Sequence, residues 1–220
     1  MSQTQVEKKL RRLLNIANIQ SSNTKKIAFR DKFYQFLGKP QDRGFWFLYG
    51  TSGSGKSTLA MMLTKELAYQ YKTLYDLHEE RPDDTDFKDR TNLLKMHDVK
   101  ENFFVQDYNL EELDRYLDKR DSAHVVIIDS TRYVFKNWED YIIFKRKWET
   151  KKLIIVIGHA EGKNPRSELQ KSIRDDCKMK LFASGYLATN QGRTFGPKNT
   201  FIIWNEGYDR LQGEGAHKQN

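Results

Sequence analysis

Residues 50–57 read Gly-Thr-Ser-Gly-Ser-Gly-Lys-Ser, with Gly50, Gly55, Lys56 and Ser57 at the fixed positions of a phosphate-binding loop. Glycines let backbone N–H groups turn inward, and a helix start adds partial positive charge. Thr51, Ser52, Gly53 and Ser54 complete the cradle. Lys56 is expected to neutralise the β- and γ-phosphates, Ser57 to ligate magnesium, and Thr58 to lie near the α-phosphate. The ligand implied is a nucleoside triphosphate with Mg2+.

Other residues supply the remaining chemistry. Asp129 closes the apolar run HVVIID, which puts a carboxylate on a rigid strand end as a candidate metal-side acid. Glu79 follows a second strand, taken to lie beside the loop strand, and is the candidate that orients or deprotonates water; Glu80 is its competitor. His159 ends the run LIIVI and could sense the γ-phosphate. Arg193, between two C-terminal strands, and Arg174 are candidate arginine fingers for a neighbouring subunit's site, or else surface arginines. The stretch 160–172 reads as a flexible loop whose Lys163, Arg166 and Lys171 could follow a DNA backbone. The mixed segment 144–148 could stack bases, although a helix burying its aromatic side explains it more simply.

The elements that must position these groups are legible as periodicities. Residues 44–49 form a continuous apolar run expected to be a buried strand, and 58–71 have helical spacing. Strands are expected at 72–77, 103–106, 124–129 and 153–157, and helices at 109–120 and 141–150. Residues 79–89 read as a charged loop or helix start. Three short strands, expected antiparallel, follow at 178–183, 186–190 and 200–204. The fold class is therefore α/β, a mostly parallel twisted sheet with helices on both faces and antiparallel C-terminal edge strands. Residues 1–26 read as an extension, with an amphipathic helix at 6–19 and a linker at 21–26; 27–212 form the domain and 213–220 a polar tail.

Composition narrows the class. The chain has 220 residues and a formal charge of +8, which favours a polyanionic partner, chiefly nucleic acid. No apolar run is long enough to span a membrane, and no secretory signal is read at the N-terminus. One cysteine, Cys177, excludes a disulfide scaffold and points to a reducing cytoplasm; it reads as a plain buried thiol.

The order of loop, acid after the second strand, strand-end Asp, polar sensor and short-strand C-terminus resembles the RecA-like branch of P-loop ATPases. The blocks GFWFLYGTSGSGKST, LYDLHEE, VVIIDS, IGHAEGKNP, GYLATNQGRTFG and FIIW more closely resemble single-domain ATPases of bacteriophages and mobile elements. His78 stands where those relatives tend to carry Leu, and NQGRTFGPKNT spaces its basic pair differently from the DnaB-type finger hairpin. The resemblance implies ATP as the nucleotide, Glu79 as the catalytic acid, and a homo-oligomeric ring or filament. It also implies work on DNA in phage-type recombination, replication or transposition. An adaptor or loader recruiting a helicase or transposase is the alternative. A small-molecule kinase fits less well, because no basic lid segment is present.

Overall fold

The apolar runs fold as a sheet because they are hydrophobic on both faces and must be covered on both. The computed structural model describes residues 12–217, with side chains through Leu211. The central strands are β1 (Gly44–Gly50), β2 (Thr73–Leu77), β3 (Phe103–Gln106), β4 (Val125–Asp129) and β5 (Leu153–Glu161). A two-residue strand β6 (Asn164–Pro165) pairs back on β5, and β7 (Met179–Ser184), β8 (Leu187–Asn190) and β9 (Thr200–Ile202) complete the set. The order across the sheet is β3-β2-β4-β5-β1-β7-β8-β9. All pairings from β3 to β7 are parallel, while β8 and β9 are antiparallel. The three C-terminal strands thus run antiparallel to one another, as expected, and the first of them joins the sheet parallel to β1.

Helices α1 (Ile16–Gln20), α2 (Asp31–Leu37), α3 (Lys56–Ala68), α4 (Thr85–Leu93), α5 (Leu110–Leu117), α6 (Thr131–Val134), α7 (Trp138–Trp148), α8 (Glu168–Asp176) and α9 (Asn205–His217) supply the rest. Alternation along the strands divides the core into two layers. Val125, Ile127, Leu153, Ile155 and Ile157 join the side covered by α2 and α3. Val126, Ile128, Ile154 and Val156 join the side of α5, α7 and α8. Asn109, Asn137 and Ser167 cap α5, α7 and α8 with side-chain hydrogen bonds to free N–H groups. Phe144 and Trp148 are buried, so the aromatic side of α7 serves the core rather than stacking bases.

Several boundaries differ from the sequence reading. The helix expected at 6–19 falls partly outside the described residues; 12–15 are not helical, and only α1 is. Its Leu13, Leu14, Ile16 and Ile19 are exposed, since nothing in the described chain packs on them. The stretch 160–172 is no loose loop: it forms the β5–β6 hairpin and the first half of α8, whose Gln170 and Ile173 are buried. The expected tail is entered by α9, which continues through His217. Among the described residues, no helix is long and apolar enough to cross a membrane.

Candidate functional site

Gly50 ends β1 between two strands, opposite His159 of β5 and Ala183 of β7. The approach to β7 is close: a Cβ on Gly50 would stand 2.3 Å from the Ala183 carbonyl oxygen. Gly53 and Gly55 hold φ of +70° and +82°, the left-handed region that glycine occupies without strain. Gly55 delivers the chain into α3, whose N-terminus has no side-chain cap. First-turn N–H groups are therefore left for a ligand, as an anion-binding helix start requires. The Ser54 hydroxyl is buried inside the loop without a hydrogen-bond partner among the described residues. Lys56, the first residue of α3, is only 7% exposed.

Strand order explains how the acids reach this loop. β5 lies between β1 and β4, and β4 lies between β5 and β2. The strand before Glu79 is thus not beside the loop strand, contrary to expectation. Nor does β5 stop at residue 157; it runs through His159, whose backbone is held in register with Gly50. His159 is therefore a mid-strand residue set directly beside the loop.

Asp129 is 4% exposed, and its Oδ2 accepts a 2.8 Å hydrogen bond from the Tyr75 hydroxyl. Burial raises its pKa above the ordinary carboxylate value, against the opposing pull of Tyr75 and the Lys56 charge. The next peptide bond, Asp129–Ser130, is cis.

Glu79 crosses above β4 and reaches β5. Its Oε1 accepts hydrogen bonds from the Ser130 hydroxyl at 2.6 Å and from His159 Nε2 at 2.5 Å. A carboxylate only accepts, so Nε2 carries the proton. Burial pushes the Glu79 pKa up. The bonds from Ser130 and His159, with the charges of His159 and Lys56, outweigh it and hold the group below its ordinary value. Glu80 is engaged elsewhere: both its oxygens accept from the Arg90 guanidinium, at 2.9 and 3.0 Å.

The two candidate finger arginines lie apart. The backbone N–H of Arg193 bonds the Lys178 carbonyl, at the opposite end of β7 from Ala183. Five residues of strand separate those ends by about 16 Å. Arg193 is exposed there, at the far end of β7 from the loop. Arg174 bonds Asp175 and Asn164, beside Tyr49.

Two aromatic residues were missed by sequence reasoning. Tyr186 and Ile203 pack against Gly55, where an added Cβ would meet them at 3.1 and 3.2 Å. Trp204 meets Tyr186 edge-on at 5.0 Å and is 41% exposed. Only tertiary proximity marks them, since they lie far from the loop in sequence.

The residues present fit a magnesium nucleotide. The glycine cradle, the uncapped helix start, the unpartnered Ser54 hydroxyl and the buried Asp129 form a donor and acceptor set suited to phosphate and a hard cation.

Flagellar accessory protein FlaH from Methanocaldococcus jannaschii has a similar structure, with a TM-score of 0.59 and 18% identity. The similarity covers 81% of this chain and 93% of FlaH. At that identity the likeness shows the fold alone, and the fold is the RecA-like P-loop α/β fold. No family model matches the chain. No curated protein matches it in sequence.

Proposed function

We propose that this RecA-like domain binds and hydrolyses ATP with Mg2+, as a switch or motor acting on DNA in phage-type recombination, replication or transposition. The observation that carries the reading is the convergence of Lys56, Asp129, Glu79 and His159 around the Gly50–Ser57 loop. Bound Mg2+ would supply charge neutralisation of the phosphates. The chain's own groups do the rest. The loop and the first turn of α3 hold the phosphates, with Ser57 and Asp129 as the protein's metal-side groups. Glu79 is kept ionised and takes a proton from water.

DNA as partner is supported by the +8 charge and by Lys163, Arg166, Lys178, Arg193 and Lys198, which form no ion pair among the described residues. Arg193 lies far from its own loop, so any finger role is in trans and requires a homo-oligomer, a ring or filament. The bacterial host cytoplasm is the setting this reading implies. The test is ATPase rate and particle size with and without single- and double-stranded DNA, for wild type and Arg193→Ala. Stimulation by DNA that weakens with salt is expected. Hydrolysis and size that both ignore DNA refute the DNA role, and an unchanged rate in Arg193→Ala removes the finger.

A nucleotide-controlled adaptor recruiting a helicase or transposase is the second reading. It is favoured by the uncovered Leu13, Leu14, Ile16 and Ile19. Under it, Glu79→Gln abolishes turnover but retains ATP-dependent assembly and biological activity.

A further inference from the structure

The base role proposed for Glu79 needs a fixed carboxylate, yet Glu79 belongs to no strand or helix. Its position comes from the two donors on Oε1. Oε2 accepts no hydrogen bond among the described residues. One oxygen anchors the group and the other is left for the proton of water.

The two anchors differ in freedom. Ser130 is fully buried, so no water competes for its hydroxyl. The chain that carries it is pinned on both sides. The carbonyl of Asp129 accepts from the His78 N–H at 2.7 Å, and the Thr131 hydroxyl bonds the Ile157 carbonyl on β5. The Ser130 hydroxyl is thereby tied to both β4 and β5, next to the metal-side acid. His159 is 27% exposed at its side chain, and its backbone is in register with Gly50 at the end of β1.

We propose that Ser130 is a positioning residue for hydrolysis, holding Glu79 by Oε1 so that Oε2 faces water. This rests on the reading of Glu79 as the base. Ser130 is fully buried and acts through Glu79 rather than on the reacting atoms.

The test uses the full chain with ATP and Mg2+. Ser130→Ala and Ser130→Cys, which both lack a strong donor, should lower kcat about tenfold, the scale of one hydrogen bond to a charged group. KM and the binding of a fluorescent ATP analogue should stay within about twofold of wild type, because the loop is untouched. The double variant Glu79→Gln/Ser130→Ala should be no slower than Glu79→Gln alone. A wild-type rate in either single variant overturns the proposal, as does a loss confined to KM and analogue binding, or a further slowing in the double variant. A crystal structure of the wild type with Ser130 Oγ beyond hydrogen-bond reach of Glu79 overturns it without any variant. Wild-type turnover in Glu79→Gln instead refutes the base reading itself, a separate outcome.

Discussion

Gly50→Ala tests whether the loop depends on its contact with β7. No left-handed φ is required at Gly50, so alanine suits the backbone there and only space is at issue. The new Cβ would meet the Ala183 oxygen at 2.3 Å, about 1 Å short of ordinary contact, with the Ser54 hydroxyl at 2.8 Å and the Ala183 Cβ at 3.1 Å. The Ser54 hydroxyl can rotate away. The Ala183 carbonyl cannot, because its backbone is paired to β1 on one side and to Ala188 of β8 on the other. Relief must come from moving the end of β1. Overpacking of this kind costs about 1–3 kcal/mol. For a chain of this size that lowers Tm by roughly 2–12 °C, at 2–4 °C per kcal/mol. Nucleotide affinity should fall as well, since the strand end aims the loop. The assay is thermal melting followed by circular dichroism without nucleotide, then titration with a fluorescent ATP analogue. Melting within about 1 °C of wild type would refute the crowding argument. Gly53→Ala isolates the other effect, because nothing among the described residues lies within 4 Å of its Cβ and only the φ of +70° opposes alanine. Gly53→Asn should recover part of that loss, as Asn tolerates the left-handed region.

Other outcomes are expected. Glu79 has its pKa lowered from 4.5, so its contribution to stability is present above that value and lost as pH falls through the lower folded value. The Tm of Glu79→Gln should therefore depend less on pH than wild type below about pH 4.5, and equal slopes would contradict this. Burial pushes the Cys177 thiol up to about 12, so native protein should not react with an aromatic disulfide reagent at neutral pH, whereas denatured protein should. Trp148→Ala should destabilise by about 3–5 kcal/mol, because the ring is buried and its N–H donates to Asp114 at 2.8 Å; urea unfolding reads this. Trp204 stands beside the loop through Tyr186 and Gly55, so its fluorescence should change when nucleotide binds, and the change should vanish in Lys56→Ala.

The loop and its flanking elements are local, and local chemistry made them readable. Gly50–Ser57 needs only glycine conformations and a helix start within eight consecutive residues. Buried parallel strands such as VVIID must be apolar on both faces, so their runs stand out without alternation. What could not be read was the lateral order of strands. That order is set by which apolar faces pack together over long separations, and it places β5 and β4 between the loop strand and the strand before Glu79. It also decides between Glu79 and Glu80, adjacent residues of the same type. One meets Ser130 and His159, whereas the other is taken by Arg90. The hairpin and helix in residues 160–176 were hidden because their polar, Gly- and Pro-containing sequence has little apolar periodicity and is ordered by packing on β5 and α7. The sequence alone thus determined the glycine-rich loop and most strands and helices of the layered fold, because those depend on neighbours in the chain. Only the tertiary structure decided which acid faces the loop, what holds it and which arginine stays away, because those depend on residues brought together from four different strands.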